Sequence, residues 1–254
     1  MRKIQHIKNQ KGIVVSTQNL FNSYNQLRVN ADLIQKNVEV MEAAANAVQT
    51  QASIGMATQA DVLKAQKNLQ SIKSTQTETL SSLETLRQNL CMMTGWSYNA
   101  QPEIKEVPQA DLAAIDQINL EADRQKALEN NYDLQYSRRA LNNMQENSTD
   151  KKNQERTVKN LEQSISASMT NLYNDIQQKK IAWQLAQAEL ATEQQSMSAT
   201  ETKRGLGMVS DLEYLQAQSS FLGKQIAEKT ANMALFQAVE TYNWAVNGYL
   251  NQPQ

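Results

Sequence analysis

Apolar and small residues recur along this chain at alternating steps of four and three. The first stripe runs Leu20, Tyr24, Leu27, Ala31, Ile34, Val38, Met41, Ala45, Val48 and Ala52. That spacing is the heptad period of a coiled-coil seam. A second stripe takes in Val62, Ala65, Leu69 and Ile72, weakens at Gln76, and resumes at Leu80, Leu83 and Leu90. A third runs through Leu161, Ile165, Leu172, Ile176, Trp183 and Leu190, and a fourth through Leu212, Leu215, Leu222, Ile226, Met233 and Phe236. Each seam is narrow and rich in Ala, Ser or Gln, so these helices need lateral partners and are expected to pack into a bundle or tube. The first seam alone would extend roughly 57 Å.

Two breaks interrupt the stripes, and they match. One is Ile54-Gly55-Met56-Ala57-Thr58, followed by Asp61, Leu63 and Ala65-Gln66; the other is Leu206-Gly207-Met208-Val209-Ser210, followed by Glu213, Leu215 and Ala217-Gln218. A further glycine follows each at a similar distance, Gly95 after 40 residues and Gly248 after 41. The chain is therefore read as an internal duplication. Local chemistry accounts for the shared residues. Gly55 and Gly207 can take the left-handed conformation that ends a helix. Thr58 and Ser210 suit the N-cap of the next helix, and Asp61 and Glu213, three residues on, complete a capping box at its positive end. Each break reads as a tight turn between antiparallel helices.

Composition narrows the function classes. The 254 residues carry 25 Lys and Arg against 26 Asp and Glu, so the electrostatic footprint of a nucleic-acid binder is missing. One Cys and one His exclude a disulfide framework, a thiolate zinc site and a paired-imidazole metal site. Cys91, beside Leu90, Met92 and Met93, reads as a packed residue. Asn147-Ser148-Thr149 fits the glycosylation sequon, a short and weak pattern. Arg138-Arg139 and Lys151-Lys152 read as short solvated charge pairs. No phosphate loop or hydrolase elbow occurs, and the chain is not expected to be an enzyme or to carry a cofactor. Residues 1–8 have the positive charge of a signal peptide's first region, but Gly12-Ile13-Val14-Val15-Ser16 is too short for the apolar region that should follow. No run approaches the roughly 18 apolar residues of a spanning helix. Alone, the chain is not expected to cross a membrane.

The motif apolar-Gly-x-x-[Ser/Thr]-x-x-[Asp/Glu]-x-Leu-x-Ala, present twice at the ends of long antiparallel helices, resembles the TolC-like outer membrane efflux proteins. Residues 13–95 are similar to that family's first long hairpin, 96–116 to its equatorial link, 117–149 to its connecting helix (with Ala127-Leu128-Glu129-Asn130-Asn131-Tyr132-Asp133-Leu134), and 150–248 to its second hairpin. The resemblance implies an all-α protomer of a trimeric helical barrel, built of elongated, duplicated hairpins. It implies a homotrimer in the bacterial cell envelope, at the outer membrane and periplasm, forming an efflux or type I secretion duct. An inner-membrane transporter would supply the energy, and a periplasmic adaptor would dock on the hairpin tips. By position, Ile54, Gly55, Met56, Leu206, Gly207 and Met208 would supply that contact. In the family, acids near the tips narrow the closed mouth and favour cations. Asp61 and Glu213 hold that location and Gln216 replaces a frequent second acid, so a weaker ring is implied; capping and gating both stay open for the two carboxylates.

The sequence departs from the family where barrel strands are expected. Glu146 to Asn153 is short and polar, and no helix and strands precede residue 13. The expectation is a barrel-less relative or a shortened piece of a longer product. Two other classes stay open: a structural coiled coil or adaptor-like hairpin without a conduit, marked by a filled apolar core, and a helical pore former.

Overall fold

The computed structural model describes residues 2–146 and 148–250. Among the described residues there are seven helices and no strand: α1 Arg2–Ser53, α2 Gln59–Met93, α3 Leu112–Asp116, α4 Leu120–Asn130, α5 Tyr132–Asn142, α6 Thr149–Gly205 and α7 Asp211–Val246. Asn147 of the sequon lies outside them. The chain forms two compact units. One comprises Met1–Asn19, Pro108–Ile181 and Asn232–Gln254; the other comprises Leu20–Val107 and Ala182–Ala231.

Helix boundaries follow local chemistry. α1 begins at Arg2, upstream of residue 13 where the first hairpin was expected to start, and passes through Gly12 without a break. A single glycine inside a helix costs only about 1 kcal/mol, and a long helix absorbs it. Where a single connecting helix was expected over 117–149 there are two short ones, α4 and α5, and α3 precedes them in the 96–116 link. Asn131 separates α4 from α5: its extended backbone (φ −61°, ψ 123°) leaves the helix, and its side chain accepts from Leu134 N at 2.9 Å. A buried N-cap in mid-sequence restarts the helix on a new axis. α6 then follows α5 after a link of residues 143–148.

In the first unit the core is Ile115, Ala127, Leu134, Ile165, Met169, Ile176, Leu235, Tyr242 and Ala245. Asn232 of α7, also buried, pins the incoming connector. It accepts from Ala110 N at 2.9 Å and donates to Pro108 O at 3.1 Å, satisfying two backbone groups that would otherwise be stranded. Tyr242 donates to Asp123 of α4 at 3.1 Å, and burial is the main reason its phenol is held neutral far above its ordinary range.

In the second unit Val29, Val38, Val62, Leu90, Cys91, Trp183, Met197 and Ile226 are buried. Trp183 donates to Glu228 at 2.6 Å, tying α6 to α7. Arg87 of α2 is almost wholly buried; it pairs with Glu84 through Nε at 2.7 Å and donates to Ala100 O, holding the connector against its own helix.

The heptad seams are realised unevenly. On α6 the buried residues occupy two alternating positions of a seven-residue repeat, Val158 and Ile165 at one and Met169, Ile176, Trp183 and Met197 at the other. On α1 the expected seam is mostly half-buried and Met41 is exposed, whereas Asn22, Asn25 and Val29, one step round the helix, are buried. α2 buries only Val62, Arg87, Leu90 and Cys91 over 35 residues, and Leu63 and Leu80 are exposed. A helix covered on one side only shows this pattern.

Candidate functional site

The two hairpin tips are built alike. At the first, Gly55 stands at φ +76° while its N donates to Ala52 O at 3.1 Å and Met56 N donates to Gln51 O at 2.8 Å. At the second, Gly207 stands at φ +73°, with Gly207 N on Arg204 O at 2.9 Å and Met208 N on Lys203 O at 3.0 Å. This paired 6→1 and 5→2 bonding is the Schellman ending, which satisfies the last carbonyls of a helix through a left-handed residue. A Cβ at either glycine would meet nothing within 4 Å, so backbone conformation alone requires glycine there.

The next helix starts on a capping box at each tip. Thr58 Oγ1 accepts from Asp61 N at 3.2 Å, and Asp61 Oδ2 accepts from Thr58 N at 2.9 Å and from its hydroxyl at 2.6 Å. Ser210 and Glu213 repeat the arrangement at 3.2, 2.8 and 2.8 Å. These bonds favour the ionised acids. The Thr58 hydroxyl and then its backbone N–H lower the Asp61 pKa; the Ser210 backbone N–H and then its hydroxyl lower that of Glu213. Both carboxylates are therefore anionic at neutral pH and committed to their own caps. The structure brings Thr58 to Asp61 and Ser210 to Glu213, each pair within its own tip.

The apolar tip residues make no core. Ile54, Met56, Leu206 and Met208 are 66%, 76%, 71% and 71% exposed. A hydrophobic contact between the residue after the glycine and the last helical turn commonly accompanies this ending. Here the last-turn residues at that position are the polar Gln51 and Lys203, and four large apolar side chains stand in water at two turns.

The tips differ in one respect that the motif does not encode. Arg204 pairs with Asp211 at 3.0 Å and lies 3.7 Å over the Tyr214 ring, strapping the second tip across its turn. Ala52, Gln59 and Val62 stand at the corresponding places of the first tip. Behind the first tip, Met41, Ala44, Ala45, Val48, Asp61, Lys64, Ala65 and Asn68 line a groove of about 290 Å³ between α1 and α2. Small residues open this groove: three of its eight are alanines.

The same helix-ending recurs twice more, which sequence spacing flagged only as glycines. Gly95 (φ +83°) has Gly95 N on Met92 O at 3.2 Å and Trp96 N on Cys91 O at 2.8 Å. Gly248 (φ +89°) has Gly248 N on Ala245 O at 3.0 Å and Tyr249 N on Trp244 O at 2.8 Å. Each repeat is therefore a pair of helices bounded by two identical stops, 40 or 41 residues apart. Among the described residues no group of His, Cys, Asp and Glu is arranged to hold a metal, and no helix is long and apolar enough to cross a membrane.

This arrangement defines a class: the chain has the all-helical hairpin fold of the TolC-like outer membrane channels. CusC, solved in work on folding and transmembrane channel formation, superposes with a TM-score of 0.62 at 14% identity, over 94% of this chain and 78% of its own. The outer membrane protein VceC of Vibrio cholerae superposes at 0.54 and 13% identity, over 98% and 73%. The outer membrane channel CmeC of Campylobacter jejuni does so at 0.54 and 12%, over 99% and 66%. No protein-family model matches the sequence, and no curated protein does. The likeness is one of fold, and the proteins that share it are outer membrane proteins and channels.

Proposed function

We propose that this chain is the protomer of a homotrimeric helical duct in the bacterial envelope, an outer membrane efflux or secretion channel component whose hairpin tips dock a periplasmic adaptor. The observation that carries the proposal is the pair of matched tips, each holding two large apolar residues in water on a turn that needs only local bonds to form. Exposed apolar side chains on a rigid frame are what a partner's helices can bury at little entropic cost. The fold shared with CusC, VceC and CmeC supports the channel class. The half-buried seam of α1 and the one-sided burial of α2 leave faces for lateral packing against further copies. Asp61 and Glu213 then serve the caps first, and their fixed negative charge gives the mouth of a tube a preference for cations. Residues 13–95 and 150–248 act as the two hairpins, joined through 96–116 and 117–149.

Two measurements test the proposal. Sedimentation equilibrium should give three times the 28.6 kDa chain mass. A strictly monomeric particle would instead favour a hairpin protein without a conduit. In cells, Met56→Asp with Met208→Asp should abolish co-purification of the envelope adaptor while leaving the trimer intact, and unchanged recovery would remove the tips from docking.

A further inference from the structure

We infer that the end of the first unit formed by the start of α1, the end of α5 and the start of α6 is a cationic surface that docks on the phosphate headgroups of an anionic phospholipid layer. Arg138-Arg139 and Lys151-Lys152 read in sequence as two separate solvated pairs. The fold joins them. Lys8 of α1 binds Asp133 of α5 at 2.7 Å, Arg138 of α5 pairs with Glu162 of α6 at 2.8 Å, and Gln154 of α6 donates to Ser137 O of α5 at 3.2 Å. α1, α5 and α6 are thereby linked in this unit, and Ile4 of α1 and Val158 of α6 are buried.

The charge at this end is out of proportion to the chain. Residues 1–8 and 133–162 hold nine Lys and Arg against five Asp and Glu, a net of +4 in a protein whose overall charge is −1. The acids are also the residues most occupied. Glu162 and Asp133 are bound to Arg138 and Lys8, and Glu146 pairs with Lys151. Lys3, Arg139, Lys152, Arg156 and Lys159 are all exposed and make no ion pair among the described residues, with only Asp150 and Glu155 left to oppose them. The amino-terminal ends of α1 and α6 add positive dipole at the same place, and Arg139 offsets the carbonyl end of α5. Tyr136, exposed one turn before Arg139, supplies the aromatic ring that favours a headgroup region.

Clustered cations of one sign on a folded surface hold an anionic leaflet within a Debye length. Each Lys or Arg at such a surface strengthens binding roughly fivefold. The α5–α6 link of residues 143–148 is shorter than the roughly nine to eleven residues of one membrane-spanning strand, so the inferred contact needs no part of this link inside the bilayer. The inference is independent of adaptor docking, because it uses none of the tip residues.

The experiment is co-sedimentation of the full chain with vesicles of phosphatidylcholine alone or mixed with phosphatidylglycerol, at low and high salt. Binding is expected only to the mixed vesicles and is lost at high salt. The variant R139Q/K152Q/R156Q/K159Q should bind at least tenfold more weakly with an unchanged melting curve, while K64Q/K67Q/K105Q/K203Q, which removes as much charge from exposed sites elsewhere, binds like the parent. Equal binding to both vesicle types, no binding to the mixed vesicles at low salt, or equal loss in the two variants would overturn the inference.

Discussion

Gly207 and Gly248 end consecutive stretches of the same hairpin with the same backbone bonds, and they do so in opposite surroundings. At Gly207 an added Cβ would meet nothing within 4 Å, and the residue after it, Met208, is 71% exposed. At Gly248 an added Cβ would strike the carbonyl group of Asn130, whose carbon lies 2.7 Å away. Tyr249 stands edge-on to Trp244 with ring centroids 6.4 Å apart, Tyr132 N donates to Gly248 O at 3.3 Å, and Asn130 donates to Val246 O at 3.0 Å. Lys11 adds a bond to Asn247 O at 3.1 Å and sits 5.3 Å from the centroid of the Tyr132 ring. One device therefore serves two ends: a locked base that tertiary contacts depend on, and a tip that needs none. The comparison separates two reasons for glycine, conformation at one end and conformation plus space at the other.

The largest effect should come from Gly248→Ala, which combines a left-handed alanine with a collision against backbone. A loss of about 3 kcal/mol or more is expected in urea unfolding. Gly207→Ala should cost about 1 kcal/mol, from conformation alone. Equal costs would mean that the Asn130 contact is relieved by small shifts and that the base is no more locked than the tip.

The following residue sharpens the contrast. Tyr249→Ala removes a packed aromatic pair and should cost about 2 kcal/mol, whereas Met208→Ala should stay within about 0.5 kcal/mol. Differential scanning calorimetry of the two variants reads both.

Smaller again is the cap. Ser210→Ala should cost about 1 kcal/mol, and a double-mutant cycle with Glu213→Gln should show coupling, since each side chain bonds the other's backbone.

The last test is pH. The capping bonds hold the folded pKa values of Asp61 and Glu213 below the ordinary carboxylate values of 3.8 and 4.5. Their contribution is therefore complete above those values and is lost as pH falls through the lowered folded ones. The stability difference between the parent and Glu213→Gln should be constant near neutrality and shrink on acidification below pH 4.5. A difference that grew on acidification would reverse the sign and remove the capping bonds as its cause.

Much of the tips was legible because everything in them is local. Gly55, Thr58 and Asp61, or Gly207, Ser210 and Glu213, interact within a few residues, and such bonds form wherever the fragment is placed. The Arg204 strap over Tyr214 was missed although its three residues are also close in sequence; its signal was the cation and ring spaced ten apart across a turn, at positions where the first tip has Ala52 and Val62. The stripe on α6 was legible because its four-and-seven spacing keeps Ile165, Ile176 and Trp183 on one face, and all three are buried. The seam of α1 is realised only in part: Val38 is buried and most of its other members are half-buried. Periodicity favours Leu27 and Ala31, yet the fold buries Asn22 and Asn25, whose polarity hid them.

By itself the sequence determined where the long helices stop and restart, since glycine conformation and capping are settled by residues three or four apart. It also determined the duplication and the absence of wide apolar faces. Only the tertiary structure decided that Gly248 needs space as well as conformation, that Asn232 carries the connector, and that Lys8 of α1 pairs with Asp133 of α5. Those outcomes depend on pairs more than a hundred residues apart, such as Lys8 with Asp133 and Asn130 with Val246. No periodicity records which distant helix will lie alongside.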